Sequence, residues 1–374
     1  MPAWLDNAIG VSYKRIPLPL RPVAKRAFMW GEIRLRALIS RRKVFQGHRV
    51  VFVGSEIATL ERYEFLGPGP REVLIDAEFS AVSPGTERAV LCGLPGSRRS
   101  FPYAPGYSVA GRVVSVGAGV DGIKIGDRVA GRMSHATAGT MGPASMFKVP
   151  AGVEPREACF IELGIITLQG IRKARIRPGE RVAVIGQGLI GQLAVRLARA
   201  VGATPVIAVA ASRRRMRSAL MPGAADEFVA SREAPDAVAR LEADVVIEAV
   251  GNASGIVQAM SAARRGGRVV LLGSSRELGR DLDWHAVSQE RALTLVGAHI
   301  SALPATDASA GRWTYDQEGR LFLDLLAAGR LRVADLITWT TAPSECNRIY
   351  ETLAEGGREH VGIVFDWRTR QTVD

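Results

Sequence analysis

Three cysteines in 374 residues exclude a disulfide framework, and Cys92, Cys159 and Cys346 form no CxxC pair that would mark a cysteine-rich zinc lobe. Long apolar runs are missing as well: none approaches the ~18 residues needed to span a bilayer. The N-terminus has no charged-then-apolar signal pattern, so the expected setting is a reducing cytoplasm. Acidic residues are short too, 37 against 49 Lys and Arg, for a formal charge of +12. That deficit is local. Residues 1–47 hold ten Lys/Arg and two Asp/Glu, a net +8, which leaves about +4 for the other 327 positions. Basicity confined to an N-terminal extension argues against nucleic acid as a partner.

The extension opens with a proline-punctuated stretch, and residues 24–43 then mix Phe28, Met29, Trp30, Ile33, Leu35, Leu38 and Ile39 with arginines. "EIRLRALI" partly alternates with period two, as a strand would, yet the whole segment also suits a helix; both readings stay open. A docked or solvated appendage is expected, with a helix on a membrane or protein partner as the alternative.

Hydrophobic content of 47%, charge of 23% and 40 glycines fit a soluble α/β protein long enough for two cores. From His48 short β-like runs separated by Gly and Pro ("RVVFVG", "EVLIDAEFSAV", "VAGRVVSVG", "GDRVAGR") predict a β-rich domain over 48–170. A regular alternation follows over 171–305. "RVAVIG", "PVIAVAA", "ADVVIEAVG" and "GGRVVLLGSS" are continuous apolar strands, and "LIGQLAVRLARAVGA" is an amphipathic helix. Such strands separated by helices imply a doubly wound parallel sheet covered on both faces. Beyond "LTLVGAHIS", residues 306–374 add a helix at 321–328 and a last strand, "HVGIVFDW".

"VIGQGLIGQ" places Gly186, Gly188 and Gly191 in GxGxxG spacing between a strand and a helix, the context in which the motif binds a dinucleotide. The first glycine makes the tight turn, the second admits pyrophosphate and the third lets helix pack on strand. Free N–H groups of Leu189, Ile190 and Gly191 at the helix start are the expected phosphate donors. NAD-preferring sites carry an acid about 20 residues onward, at the end of the second strand. Here that end, near Ala210, runs into Ser212, Arg213, Arg214 and Arg215. A hydroxyl and guanidinium groups bind a 2′-phosphate that a carboxylate would repel, so NADP(H) is expected, with Ser212, Arg213 and Arg215 as its ligands.

With that motif in place, residues 48–367 resemble the medium-chain dehydrogenase/reductase superfamily. "SPGTE", "PGYSVAGRVVSVGAGV", "GDRV", "ERVAVIGQGLIGQ", "DVVIEAVG", "GGRVVLLG" and "LLAAGRL" carry the resemblance in order. It implies a GroES-like β domain, built from both chain ends, around a Rossmann domain, with nicotinamide and substrate in the cleft between them. Homodimers or tetramers are usual in such proteins, and a homodimer is expected here. The resemblance also adds Thr167 beside the nicotinamide and Val250, Gly251, Gly273 and Ser274 to the cofactor set. Zinc members carry a catalytic Cys where this chain reads "VSPGTERA", and a His-Glu pair where it has Tyr107 and Ser108. Only Glu162, in "CFIELG", matches a third ligand, and one oxygen donor does not make a Zn²⁺ site. No metal is expected. "SPGTER" and "PGY" resemble the zinc-free branch that contains bacteriochlorophyllide a dehydrogenase-like oxidoreductases.

Without Zn²⁺, hydrogen-bond donors must stabilise charge on the reacting oxygen. Tyr107 stands at a lost ligand's position, so its phenol is a candidate acid or orienting donor, with a packed aromatic as the bland reading. Ser83 and Thr86 are candidate hydroxyl donors or ordinary turn residues. His135, on a small-residue loop, and His299, at the end of a Rossmann strand, are candidates for proton exchange, though a lone histidine is more often structural. Glu162 is a candidate base or a cap. Trp313 and Tyr315 are read as lining either a ring-binding surface or a dimer contact, and loops 92–103, 134–146 and 302–318 carry no decodable specificity.

The leading expectation is a zinc-independent, NADP(H)-dependent oxidoreductase interconverting an alcohol and a carbonyl on a small or medium-sized metabolite. The alternatives are a C=C reductase of the enoyl or quinone type and a cofactor-binding scaffold tethered by residues 1–47.

Overall fold

Valine, isoleucine and alanine run without interruption through Val182–Ile185 and Val206–Ala210, and every residue of both strands is buried. They sit inside a six-stranded sheet ordered Glu227–Ala230, Val206–Ala210, Val182–Ile185, Ala243–Glu248, Ala263–Leu271 and Thr294–Gly297. All pairings are parallel. In chain order this is 3-2-1-4-5-6, the doubly wound Rossmann arrangement. The order reverses between Val182–Ile185 and Ala243–Glu248, so a crevice opens beyond their carboxyl ends. Glu227–Ala230, a short edge strand with a charged first residue, has no apolar run to reveal it in the sequence. The computed structural model describes residues 21–97, 100–274, 283–304, 307–308, 313–357 and 359–369, with the backbone alone for 21–30. Residues 1–20 of the extension, 98–99 of the first loop, and 305–306 and 309–312 of the last lie outside them.

A second, seven-stranded sheet runs Ile337–Thr341, Gly362–Asp366, Val73–Ala81, Val109–Val116, Arg128–Gly131 and Met146–Lys148, with Ala138–Met141 also on Val73–Ala81. Its closing strand near the C-terminus pairs antiparallel with Val73–Ala81. This is the GroES-like part of the fold. One core joins the sheets: Phe79, Ala110 and Phe147 of the second pack in the same buried cluster as Val184, Val245 and Val270 of the first. Ile161 and Leu168 of the helix Ile161–Ala174 belong to that cluster too. Each such side chain contributes about 1.5–3 kcal/mol through burial. The helix thereby fixes its first turn relative to the parallel sheet. Further along, the helix expected at 321–328 spans Tyr315–Ala327, held at its start by a Thr314–Gln317 capping box.

The extension resolves as a helix, Arg21–Ser40. Ile33 and Ala37, four residues apart, turn inward against a hairpin while their neighbours at 34–36 and 38–40 face solvent. That spacing is helical, and the period-two alternation of "EIRLRALI" is incidental. The hairpin pairs Val44–Gly54 with Ile57–Leu66 and bridges to the body at Arg49–Ala136 and Phe52–Tyr103. Its first strand begins at Val44, inside the stretch assigned to the extension.

Candidate active site

The glycine motif builds its turn as expected. Gly186 adopts φ +95°, and a Cβ there would sit 2.7 Å from Val250 Cγ2 across the crevice. A Cβ on Gly191 would lie 1.8 Å from the Gly186 carbonyl oxygen, so any side chain would push the helix Leu189–Ala200 off its strand. Gly188 differs: nothing lies within 4 Å of its Cβ position, and no side chain caps the helix N–H groups beyond it. That combination leaves open space before free donors, where a pyrophosphate fits. The facing wall is Val250, Gly251, Gly273 and Ser274. Val250 and Ser274 are exposed, and a Cβ on Gly251 would meet the Ser274 carbonyl at 2.9 Å. Glu248, which sequence reasoning missed, ties this wall together. It is buried at its strand's end, and its Oε1 accepts the N–H groups of Val250 (2.7 Å) and Gly251 (2.8 Å). Burial holds its carboxyl above the usual range.

After Val206–Ala210 the chain turns at Ser212, exposed and with no capping bond from its hydroxyl. Arg213 donates to Glu233 (2.7 Å) in an exposed pair. Arg215 turns away, donating to the backbone carbonyls of Glu359 and His360. Arg214 is the exposed member with no ion pair among the described residues. Of the three, Arg214 is thus the guanidinium left without a hydrogen-bond or ion-pair partner among the described residues, and the sequence reading passed it over for Arg215.

At the other candidate centre, Tyr107 donates its phenol to Ser83 Oγ at 2.7 Å, with Thr86 as a further hydrogen-bond neighbour. Burial is the chief cause that pushes the phenol up to about 12, so it stays protonated and acts as a donor. Ser108, its neighbour, faces elsewhere. Its hydroxyl donates to the Cys159 carbonyl (2.6 Å) and accepts from Glu162 N (3.1 Å), which seats the first turn of Ile161–Ala174. Glu162 is fully buried in that turn. Its Oε2 takes both Nη2 (2.7 Å) and Nε (3.2 Å) of Arg132, and Tyr315 donates to Oε1. Arg132 lies 5.3 Å from the Tyr315 ring centroid and keeps half of its side chain exposed. Burial raises the Glu162 carboxyl against the pull of Tyr315 and Arg132. Arg132 and Tyr315 complete a cluster with Tyr107, Ser83, Thr86 and Glu162. Only a contact across 153 residues of sequence brings Tyr315 there.

The remaining candidates do not join it. His135 is fully buried, with Nδ1 on Ser80 Oγ (2.7 Å) and Nε2 on Glu87 Oε2 (3.1 Å). Tyr350 donates to the same Glu87 oxygen (2.5 Å), and Trp367 Nε1 to Ser80 (2.8 Å). The histidine is therefore the centre of an internal polar network that fastens the chain's C-terminal part to the second sheet. His299 is exposed and accepts from Ser301 N (3.2 Å), capping a local turn. Thr167 is buried and bonds back to the Leu163 carbonyl (2.8 Å) within its helix. One face of Trp313 is covered by the Arg172 guanidinium, 3.5 Å from the ring centroid.

Comparison with known proteins agrees with this fold. A family model described as an alcohol dehydrogenase GroES-like domain matches residues 69–153, and one described as a zinc-binding dehydrogenase matches 190–309. The chain is 25% identical to 2-dehydro-3-deoxy-L-galactonate 5-dehydrogenase of Pseudoalteromonas atlantica, over 59% of its own length and 74% of the relative's. It is 28% identical to L-galactonate-5-dehydrogenase of Escherichia coli, over 63% and 78%. In fold it is similar to a provisionally named zinc-binding dehydrogenase from Sinorhizobium meliloti 1021 bound to NADP, with a TM-score of 0.73, 23% identity and coverage of 86% and 99%.

The chain belongs to the medium-chain dehydrogenase/reductase superfamily. It is an oxidoreductase of that superfamily, and its crevice is built for a nicotinamide dinucleotide. The superfamily's zinc is another matter, because the donors here do not fit it. Catalytic zinc takes about three nitrogen, sulfur or carboxylate ligands. At the positions that the resemblance matches to the zinc ligands stand the Ser83 and Tyr107 hydroxyls, the Ser108 hydroxyl already bonded to backbone, and Glu162 already held by Arg132 and Tyr315.

Proposed function

We propose that this chain is a zinc-independent, NADP(H)-linked oxidoreductase that interconverts an alcohol and a carbonyl on a small or medium-sized metabolite. The observation that carries this reading is the Tyr107–Ser83 hydroxyl pair beside the Arg132–Glu162 ion pair, at the positions where zinc members hold their metal. The relatives' names, both dehydrogenases of sugar acids, support alcohol–carbonyl chemistry. When bound, the nicotinamide supplies or accepts the hydride. Tyr107 donates to Ser83 and the Ser83 hydroxyl donates to the substrate oxygen, while Arg132 supplies the positive charge that favours an alkoxide over a neutral alcohol; the proton between the two is exchanged with solvent beside the half-exposed Arg132. Glu162 holds the guanidinium in place, and Tyr315 holds Glu162. Gly186, Gly188 and Gly191 with Leu189 and Ile190 receive the pyrophosphate. Ser212 and Arg214, with Arg213 released from its exposed pair, receive the 2′-phosphate; such a pair is worth at most about 1 kcal/mol and exchanges readily. A homodimer is the expected working unit, to be measured by light scattering.

The test is turnover with NADPH deuterated at nicotinamide C4 against a panel of ketones, aldehydes and enones. Label on the carbinol carbon is the expected result. Label on a β-carbon replaces this reading by C=C reduction, and a protein that binds NADPH but never oxidises it is a scaffold. Two controls address the finer claims. Activity should survive a zinc chelator, and a loss restored by added Zn²⁺ would overturn the zinc-free reading. Arg214→Glu should raise KM for NADPH about tenfold or more while leaving KM for NADH nearly unchanged, since a charge-assisted pair is worth ~1.5–3 kcal/mol.

A further inference from the structure

Leu35, Leu38 and Ile39 are 57%, 78% and 74% exposed on the helix Arg21–Ser40. Their spacing, i, i+3 and i+4, puts them on one stripe. Ile33 and Ala37 occupy the other side, half-buried toward the hairpin, where Arg34 also bonds Glu64 at 2.9 Å. The stripe has no cover among the described residues. Residues 31–43 contain five Lys/Arg and one acid, Glu32; Arg34, Arg36 and Arg42 pair with Glu64, Glu32 and Glu72, which leaves Arg41 and Lys43. Arg41 and Lys43, just past the helix, are exposed and have no ion pair among the described residues. The family models begin at residue 69, so this helix lies outside the part of the chain they describe.

We propose that this helix lies on anionic membrane surfaces and tethers the protein there. Charge complementarity decides among the occupants. Among the described residues the stripe offers three aliphatic side chains, too few for a stable protein interface, which needs about 1,000 Å² of buried surface. A second copy docked two-fold on the stripe would set the same cations against each other. An anionic bilayer accepts both parts at once, taking the aliphatic side chains at the headgroup boundary and pairing the flanking cations with lipid phosphates. Among the described residues no helix is long and apolar enough to cross a membrane, so the contact is peripheral. The tether is separate from the hydride-transfer reading, and either can fail without the other.

The test is sedimentation of the full chain with phosphatidylcholine vesicles, with and without phosphatidylglycerol, at low and high salt. Binding should require phosphatidylglycerol and fade with salt. Leu38→Asp with Ile39→Asp should weaken partitioning at least about tenfold, because it puts charge where apolar surface was inserted. Arg41→Glu with Lys43→Glu, which leaves the stripe intact, should do the same by removing the attraction. Both variants should keep the parent's melting temperature and NADPH affinity. Three results would each overturn the proposal: no binding by the full chain, equal binding to neutral vesicles, or a dimer that Leu38→Asp with Ile39→Asp abolishes while vesicle binding stays.

Discussion

The crevice at Gly186–Gly191 is made of backbone, whereas the cluster around Tyr107 is made of side chains gathered from five distant segments. In the crevice, substitution is limited by main-chain atoms: the Gly186 carbonyl sits 1.8 Å from where a Gly191 Cβ would be. In the cluster, position depends on partners: Tyr107 on Ser83, Glu162 on Arg132, Tyr315 on Glu162. A backbone site carries its constraint in glycine spacing. A side-chain site carries it in contacts that only the folded chain supplies. The two should therefore break differently when mutated.

Within the crevice, Gly188 and Gly191 separate binding from folding. A Cβ at Gly188 meets no atom within 4 Å, and its φ of −73° suits any residue, so Gly188→Val is open to test. Its melting temperature should stay at the parent value while NADPH affinity, followed by fluorescence titration, falls about a hundredfold or more, since the side chain fills the pyrophosphate's approach. Gly191→Ala should instead lose ~2–4 kcal/mol of stability in denaturant titration, because the backbone itself must move. If Gly188→Val still bound NADPH normally, the phosphates would lie elsewhere.

The side-chain region divides again, between an inner network and an outer cluster. His135→Ala leaves the buried Glu87 carboxylate short of a partner, so about 3 kcal/mol of stability should go, with kcat of the remaining folded enzyme nearly unchanged. A large fall in kcat at unchanged stability would return His135 to the list of catalytic groups. Arg132→Ala should do the opposite, lowering kcat about a hundredfold at constant cofactor affinity, in line with the loss of one electrostatic donor. Arg132→Lys should recover only part of that, because the guanidinium grips Glu162 through two nitrogens.

The same contrast explains what could be read beforehand. Uninterrupted apolar runs gave away the parallel strands, and GxGxxG between strand and helix gave away the turn at Gly186. Glu227–Ala230 escaped because an edge strand needs no continuous apolar run. The helix at 21–40 stayed ambiguous because its apolar residues pair with arginines at both periods. Tyr107, Ser83 and Glu162 were found by position against a familiar pattern, yet Arg132 was not, since one arginine in a "GDRVAGR" strand looks like surface. Glu87 and Glu248 were equally invisible: a carboxylate that ends up buried looks no different in sequence from an exposed one. Ser108 was no easier to read, because the helix start that it seats, at Ile161, is 53 residues away.

Tyr107 gives the smallest expected effect and the finest test of how the two regions cooperate. Its phenol is raised to about 12, chiefly by burial, so from pH 6 to pH 10 it remains a neutral donor. Tyr107→Phe should thus lower kcat by roughly tenfold, the weight of one neutral hydrogen bond, and by the same factor across that whole range. A near-neutral acid would behave otherwise, with a ratio of parent to variant that changes with pH and collapses above its pKa. Stability gives an independent check of sign. A folded pKa above the unfolded value of about 10 favours the protonated, folded state. The contribution is complete below pH 10 and is lost as pH climbs from 10 towards 12. The parent should therefore lose stability over that alkaline interval more steeply than Tyr107→Phe, which has no phenol at this position to ionise. If the two unfold in parallel there while the activity ratio bends near neutrality, Tyr107 is a proton donor and the hydroxyl pair is catalytic in a different sense.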